Sequence, residues 1–260
     1  MMVHYRDEGE GPVLFLIHGT FSSLHTFNSW TRILKTQYRI VRLDLPGFAL
    51  TGPMTDGKYD IEVYLSFLNK FLNNLNIKKC HIAGSSLGGW LAWEYCVANP
   101  KMVDKLILIG AAGLFVDQRL PLFFIMVKAP LIKKFVKHVL PKGLVEKFLK
   151  EVYGDTHKVT GELVERYYDL VMKPGNREAF IDLVNTKYEF HGDLVSQIES
   201  PTMIMWGKED NWVTLKNAYA FHERIKDSIM VLYDGVGHVP MEESPMETAS
   251  DLISFLENVN

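Results

Sequence analysis

The chain has 260 residues, of which 47% are hydrophobic and 23% are charged. This length and composition are typical of one globular domain, or of one domain that carries an insertion, and they exclude disordered, collagen-like and coiled-coil proteins. The 28 basic and 31 acidic side chains give a formal net charge of −3, which gives no reason to expect nucleic acid as a partner.

Short, wholly apolar runs recur along the chain and predict buried strands. The first, at 13–17, has the sequence Val-Leu-Phe-Leu-Ile and is followed by His18. A run of this kind fits a strand that is covered on both faces, as in a parallel sheet between two layers of helices. The same signal predicts further strands at 38–43, 80–83, 105–109, 202–206 and 229–233.

Amphipathic segments between these runs predict helices. Residues 61–75 carry apolar side chains at a 3.6-residue period, and 87–98 is a second helix that ends before Asn99-Pro100. Two more helices are expected at 215–225 and 245–259. The alternation of strand and helix predicts an α/β fold, with a mostly parallel sheet and helices on both faces.

The alternation breaks between about 113 and 200, where no strand-like run occurs. Pro141, Gly154 and Pro174-Gly175 divide this stretch into four predicted helices, at about 121–139, 143–153, 160–173 and 176–190. We therefore expect a core domain made of residues 1–113 and 199–260. Residues 114–198, called the insertion below, would form a helical cap between two strands of the sheet.

The most informative segment is Gly84-Ser85-Ser86-Leu87-Gly88, a G-x-S-x-G sequence between a predicted strand and a predicted helix. The motif has chemical meaning only in this context, where it forms a tight turn. The turn lifts the serine hydroxyl above the sheet, at the N-terminus of the following helix. There the backbone N–H of Leu87 can face a developing oxyanion, so Ser86 is the candidate nucleophile.

A serine hydroxyl needs a general base, and the base needs a carboxylate to orient it. His238 lies in a glycine-flanked loop after the strand at 229–233, and Asp210 follows the strand at 202–206. Both positions are at the carboxyl edge of the sheet, where Ser86 also lies. The order Ser86, Asp210, His238 is the one expected for this type of turn, and Glu209 is the alternative acid.

The loop after the first predicted strand, His18-Gly19-Thr20-Phe21, is a candidate oxyanion wall with the backbone N–H of Thr20 as donor. His18 would hold this loop by hydrogen bonds, and an ordinary β-turn is the alternative. We expect the substrate pocket to be lined from this loop, from the insertion and from the loop of His238. The candidate pocket residues are His18, Phe21, His25, Leu114, Phe115, Phe123, Phe124, His191 and Val239.

Together these residues resemble the α/β-hydrolase superfamily, in its lipase- and esterase-like branch with a helical cap. The resemblance covers nearly the whole chain in the family's order, through His18-Gly19, Asp44-Leu45-Pro46-Gly47-Phe48, the G-x-S-x-G turn, Trp206-Gly207-Lys208-Glu209-Asp210 and Gly237-His238-Val239-Pro240. It implies an eight-stranded sheet, of which part of the first strand is missing here. It also implies a triad of Ser86, Asp210 and His238, with an oxyanion hole at Thr20 and Leu87.

We interpret the chain as a serine hydrolase that cleaves carboxylic esters through an acyl-enzyme. Because the pocket closed by a short helical cap is finite, we expect short-to-medium acyl chains. A serine at position 86 excludes the dehalogenases and epoxide hydrolases of this fold, which use an aspartate. Carbon–carbon bond hydrolases usually carry a glycine-rich H-G-G-G-P-G loop, whereas this chain has His18-Gly19-Thr20-Phe21. A lipase, a carbon–carbon bond hydrolase, a perhydrolase and a hydrolase-fold ligand receptor remain as alternatives.

The expected partner is a small-molecule ester, with no metal or cofactor, since neither H-E-x-x-H nor C-x-x-C occurs. Residues 121–150 contain seven lysines, which could touch an anionic membrane, although we prefer a solvated lysine face. Two cysteines in apolar stretches, Cys80 and Cys96, and the lack of a signal peptide favour a cytoplasmic protein, unless an N-terminal anchor has been trimmed.

Overall fold

A twisted sheet organises the molecule in the computed structural model, which describes residues 1–114, 116, 124, 128–129 and 139–258. Its seven strands are β1 (Tyr5–Glu8), β2 (Val13–Ile17), β3 (Arg39–Leu43), β4 (Cys80–Ser85), β5 (Val103–Ile109), β6 (Thr202–Gly207) and β7 (Ile229–Tyr233). The strand order is β1-β3-β2-β4-β5-β6-β7, and every neighbouring pair is parallel except β1 with β3. The predicted α/β fold with a mostly parallel sheet is confirmed.

The described residues contain seven strands rather than the eight expected.

The edge strand β1 was not among the strands predicted from apolar runs. Three of its four side chains are exposed. Ion pairs join it to β3, with Asp7 on Arg39 at 2.7 Å and Glu8 on Arg42 at 2.8 Å. An edge strand of this composition gives no hydrophobic signal in the sequence.

Nine helices accompany the sheet in the part of the chain that the structure describes. They are α1 (Asn28–Leu34), α2 (Ile61–Asn74), α3 (Leu87–Ala98), α4 (Lys142–Val152), α5 (Gly161–Met172), α6 (Asn176–Asn185), α7 (Leu215–Arg224), α8 (Pro240–Glu243) and α9 (Pro245–Glu257). The four helices predicted outside the insertion correspond to α2, α3, α7 and α9. The short helices α1 and α8 were not predicted from their sequence patterns.

The sheet separates two apolar cores, because successive side chains of a strand point to opposite faces. In β2, Phe15 and Ile17 pack in the core beneath α2, α3 and α7. Leu14 and Leu16 pack in the other core, with side chains of α1 and α9. The continuous apolar run of β2 therefore results from burial on both faces.

The insertion lies between β5 and β6, which are adjacent and parallel. Its helices α4, α5 and α6 match three of the four predicted helices, although α6 ends at Asn185 because Thr186 has an extended backbone. The remaining prediction, at 121–139, falls almost entirely outside the described residues. Buried side chains of α4 and α5 join the core that contains α1 and α9. Among the helices described here, none combines the length and the apolar character required to cross a membrane.

Two buried histidines make the stability of the fold sensitive to acid. Burial lowers the pKa of His18 and of His81 below the ordinary value of 6.5, because an imidazolium is poorly solvated inside the protein. Below that ordinary pKa the unfolded chain binds protons that the folded chain does not. The free energy of unfolding should therefore fall between about pH 7.5 and about pH 5.5, by up to about 1.4 kcal/mol per pH unit for His18.

Substitution of His81 by Phe isolates one of these contributions. The change keeps an aromatic ring beside Tyr38, whose ring lies edge-on at 6.3 Å, and it removes one titrating group. In urea unfolding, His81→Phe should lose less stability than the wild type over the same pH interval. Equal losses in the two proteins would contradict this assignment.

Candidate active site

The turn between β4 and α3 holds Ser86 in a strained backbone conformation. Its φ of 55° and ψ of −116° lie outside the regions that residues with a side chain normally occupy. The backbone of Ser86 is fixed on both sides, since its N–H donates to Ile109 O and its carbonyl accepts from Trp90 N and Ala112 N, all at 3.0 Å. The side chain is therefore presented at the carboxyl edge of the sheet.

Gly84 explains why the turn can be so tight. A Cβ at this position would lie 2.1 Å from Gly88 O, a backbone atom that cannot move aside. Only glycine lets the end of β4 approach the start of α3 this closely. The G-x-S-x-G spacing is thus a steric requirement of the turn, and it fixes where the Ser86 hydroxyl lies.

His238 and Asp210 form a buried pair next to this turn. His238 Nδ1 lies 2.7 Å from Asp210 Oδ2, and the Asp210 side chain has no exposed surface. The other carboxylate oxygen of Asp210 accepts from the N–H groups of Trp212 and Val213, each at 2.9 Å. Glu209, the alternative acid, is exposed and does not contribute to this pair. The arrangement places the imidazole proton on Nδ1, facing the carboxylate.

The second nitrogen of His238 is buried, and no group among the described residues hydrogen-bonds it. His238 and Ser86 line the same cavity, together with Thr20 and Val239. Buried polar atoms usually have a hydrogen-bond partner. One without a partner suggests that a ligand or a reacting group completes the interaction. Nε2 is thus available as a proton acceptor within the cavity that exposes Ser86.

Glu243 holds the loop that carries His238, and the sequence analysis missed it. One oxygen of its carboxylate accepts from Gly237 N at 2.7 Å, and the other accepts from the N–H groups of Gly154 and Asp155 at 2.9 and 3.1 Å. Burial raises the pKa of Glu243, and these three donors oppose the shift. The loop is also tied to the insertion, since His238 N donates to Val152 O at 2.7 Å.

The loop after β2 lies against the other side of Ser86. A Cβ at Gly19 would come within 2.9 Å of Ser86 Cβ, and Thr20 lines the cavity. The hydrogen bonds of α3 begin with Trp90 N, so the N–H of Leu87 precedes the helical ladder and has no partner within the helix. Thr20 thus lines the cavity with Ser86, and Leu87 follows Ser86 in the chain with an N–H outside the helical ladder, so both remain candidates for the predicted oxyanion hole.

His18 holds this loop rather than lining the cavity. Its side chain is fully buried, with Nδ1 donating to Gly19 O at 2.7 Å and Nε2 accepting from Leu45 N at 2.9 Å. Both nitrogens are engaged with backbone atoms, so the expectation that His18 binds substrate is not supported by its position.

An aromatic cluster lies on one side of the cavity. Trp212 packs 5.7 Å from the His238 ring and 4.5 Å from Phe148, measured between ring centroids. Phe124 lies 5.1 Å from Phe180 and 6.1 Å from Trp212. Phe21 completes the cluster at 4.0 Å from Phe180. The pocket candidates Phe21 and Phe124 are thus together, whereas Phe148, Phe180 and Trp212 were not predicted.

Of the other predicted pocket residues, some line the cavity and some do not. Val239 lines the cavity, and Leu114 packs against the core beneath α3. His25 and His191 do not line this cavity. His25 Nδ1 lies 3.2 Å from Ser23 Oγ, and His191 Nδ1 lies 3.2 Å from Glu94 Oε2. Phe115 and Phe123 fall outside the described residues. Within the described chain, no three His, Cys, Asp or Glu side chains are grouped to hold a metal ion.

The fold and this site are those of a hydrolase built on an α/β sheet. The family model for the alpha/beta hydrolase fold matches residues 12–245, which is most of the chain, so the protein belongs to the α/β hydrolase family.

Three proteins illustrate what the chain is similar to. It is 27% identical to 2-hydroxy-6-oxo-6-(2'-aminophenyl)hexa-2,4-dienoic acid hydrolase of Metapseudomonas resinovorans, covering 97% of this chain and 86% of that protein. It is 28% identical to monoacylglycerol lipase ABHD6 of Bos taurus, covering 97% and 77%. The crystal structure of a membrane phospholipase A superposes with a TM-score of 0.79 at 26% identity, covering 98% and 82%.

The steric requirement at Gly84 can be tested by thermal unfolding. Gly84→Ala should destabilise the protein by about 3 kcal/mol or more, because the new methyl group meets fixed backbone atoms. Gly143→Ala is the matched control, since no described atom lies within 4 Å of a Cβ there. That control should be as stable as the wild type, or slightly more stable, because alanine favours a helix. A Gly84→Ala protein with the wild-type Tm would contradict the steric argument.

Proposed function

We propose that this hydrolase cleaves carboxylic esters, with Ser86 as nucleophile, His238 as general base and acid, and Asp210 as the group that orients the imidazole. One observation carries the proposal. His238 is held at Nδ1 by Asp210, at 2.7 Å, while Nε2 is unpartnered among the described residues and shares a cavity with Ser86. A nucleophile, a base and an orienting carboxylate are the groups that acyl-transfer chemistry requires, which supports the proposal.

The reaction follows from these positions. The Ser86 Oγ–H proton passes to His238 Nε2 as Oγ forms a bond to the acyl carbon. The negative charge on the former carbonyl oxygen is stabilised by the N–H groups of Thr20 and Leu87. The intermediate collapses, the C–O bond to the alcohol breaks, and His238 gives its proton to the departing alcohol. Water, deprotonated by His238, then releases the acid and restores Ser86.

The lining of the cavity supports a neutral ester over an anionic substrate. The described residues around it include no lysine or arginine, and His238 is the one side chain of the basic type. A substrate with a carboxylate, such as the dienoic acid named for the Metapseudomonas relative, would need a cationic partner when buried. The lipase and phospholipase relatives, by contrast, are named for ester substrates.

The aromatic cluster is the place we assign to the acyl chain. Trp212 and Phe148 line the cavity, and the rings of Phe21, Phe124 and Phe180 extend the cluster behind them. Such a cluster favours hydrocarbon by removing apolar surface from water. It is bounded by helices of the insertion and by the loops of the sheet, so its capacity is finite.

The lysines of α4 fit a solvated face. Lys142 pairs with Glu165, and Lys150 pairs with Glu146 one turn away at 2.7 Å. These acidic partners reduce the positive charge that the described part of the insertion presents. We therefore assign the exposed lysines to solubility rather than to binding an anionic membrane.

Substitutions of the three proposed catalytic residues test this function on a chromogenic butyrate ester. Ser86→Ala should lower kcat by up to about 10⁶, because the nucleophile is lost. Asp210→Asn should lower kcat by about 10⁴, because the imidazole is no longer held in its reactive tautomer. Glu209→Gln is the matched control, and its activity should stay near that of the wild type because the side chain is exposed.

Two results would contradict the assignment. If Glu209→Gln were the damaging change and Asp210→Asn the mild one, the acid would be wrong. If the wild type bound ester analogues but turned over none of them, the protein would be a receptor with this fold.

A series of esters of graded acyl length tests the aromatic cluster. Each added methylene should contribute up to about 0.8 kcal/mol, or roughly fourfold in kcat/KM, until the cluster is filled. The rate should therefore peak at short-to-medium chains and fall for long ones. Phe124→Ala should move the peak to longer chains. Phe67→Ala is the control and should not move it, because Phe67 is a partly buried residue of α2 that packs against the core beneath α2, α3 and α7. A steady rise to long chains at a lipid interface would indicate a lipase instead.

A further inference from the structure

Three hydroxyl groups form a polar wall in the cavity that Ser86 and His238 share. They belong to Ser22, Thr26 and Tyr167, all of which line that cavity. The Tyr167 hydroxyl lies 3.5 Å from Ser22 Oγ. Tyr167 and Thr26 also share one acceptor behind the wall, Glu242 Oε1, at 2.6 and 2.5 Å. The three hydroxyls are therefore adjacent to one another, on residues that line the cavity of the candidate nucleophile.

Glu242 fixes the direction of two of these hydroxyl hydrogens. Its other oxygen, Oε2, accepts from Tyr153 OH at 2.9 Å and from Arg166 Nη2 at 3.0 Å. A carboxylate accepts hydrogen bonds and donates none. The hydrogens of Thr26 and Tyr167 therefore point at Glu242, and in the 3.5 Å contact between Ser22 and Tyr167 the donor is Ser22 Oγ. Burial and the charge of Glu242 also raise the pKa of Tyr167, so its phenol stays protonated.

Each of the three hydroxyl hydrogens thus has an acceptor within the protein, so what the polar wall offers to a ligand is lone pairs. A surface that can only accept is satisfied by a ligand group that donates, such as an alcohol O–H. A ligand carboxylate or ether, which only accepts, gains nothing there and loses its water. The polar wall thus selects a substrate that carries a hydroxyl group.

We propose that the polar wall binds a free hydroxyl on the alcohol portion of the ester, so that the preferred substrates are monoesters of diols or polyols. This inference rests on the ester hydrolysis proposed above, and it names the class of ester. Thr26 and Tyr167 are then specificity-determining residues.

We assign the polar wall to the alcohol side, because its three residues line the same cavity as His238. Glu242 belongs to α8, which begins two residues after His238. His238 delivers its proton to the departing alcohol, so the alcohol lies next to this imidazole. The apolar cluster around Phe124 and Phe180 is the part of the site that favours the acyl chain.

Three butyrate esters of nearly equal size test the proposal: 2-hydroxyethyl, propyl and 2-methoxyethyl butyrate. The first can donate a hydrogen bond from its alcohol portion, the second has a methyl group there, and the third has an ether oxygen. The kcat/KM for 2-hydroxyethyl butyrate should exceed that for each of the other two by about 3- to 10-fold, the range of one neutral hydrogen bond.

Conservative variants locate the effect. Thr26→Val and Tyr167→Phe remove one acceptor each with little change in shape, so the ratio of hydroxyethyl to propyl activity should fall towards one. Thr31→Val and Tyr95→Phe are matched controls, because their hydroxyls bond Phe27 O and Asn69 Oδ1 and neither residue lines the cavity. In these controls the ratio should equal that of the wild type.

Glu242→Gln provides a readout that a merely structural role would not move. Arg166 has only donors, so the new amide oxygen must face Arg166 and the amide NH₂ must face Thr26 and Tyr167. Those two hydroxyls then accept from the amide and turn their hydrogens into the cavity. The preference for the hydroxyethyl ester over the methoxyethyl ester should shrink in this variant.

The outcomes separate this inference from the proposed function. If the wild-type enzyme hydrolysed all three esters with equal kcat/KM, this inference would be overturned and the ester hydrolase proposal would stand. A preference for 3-hydroxybutyrate esters of plain alcohols, without one for hydroxyethyl butyrate, would overturn the alcohol-side placement. Hydrolysis of none of the esters would overturn the ester hydrolase proposal itself, and this inference with it.

Discussion

The close approach of the ends of β4 and α3 is the constraint on which the site depends. Gly84 lets β4 come so close to the backbone of Gly88 that no side chain would fit, and Gly88 lets α3 come equally close to the backbone of Ile17 at the end of β2. Ser86, between them, is forced to a positive φ. Strain of this kind persists only where the surrounding structure fixes it. Here the fixing groups are Ile109 at the end of β5, Ala112 just beyond it and Trp90 in α3, all of which hydrogen-bond the Ser86 backbone.

The same edge of the sheet also positions the base, but by different forces. Asp210 and His238 follow β6 and β7, and their pairing is electrostatic rather than steric. The loop of His238 is not self-supporting, because its backbone bonds run to Val152 in the insertion and to Glu243 in α8. The insertion is therefore a structural part of the site. A change in the position of α4 would therefore shift the loop that carries the His238 imidazole, even though α4 carries none of the proposed catalytic groups.

The sequence could predict which residues that follow strands would meet at one edge of the sheet. Ser86, Asp210 and His238 each come directly after an apolar run, and parallel strands bring such positions to one edge. It was insufficient where burial is decided by distant partners. His191 was expected at the cleft, yet it pairs with Glu94, which is 97 positions away in the chain. Trp212 gave no signal either, because a single aromatic residue in a loop has no periodicity to interpret.

The two glutamates of α8 show most clearly what local sequence cannot reveal. Adjacent acidic residues are usually solvated, yet both Glu242 and Glu243 point into the protein. Glu243 accepts from backbone N–H groups and so fixes the position of the His238 loop. Glu242 accepts from side-chain hydroxyls and so fixes the direction of their hydrogens.

One short helix therefore sets both the geometry of the proposed base and the polarity of the cavity next to it. Each carboxylate is enclosed by donors from the insertion and from the core together, as with Tyr167 and Thr26 around Glu242. A buried carboxylate that lost these donors would be costly. Because both buried acids need these donors, the insertion must stay packed against the core next to the proposed substrate cavity.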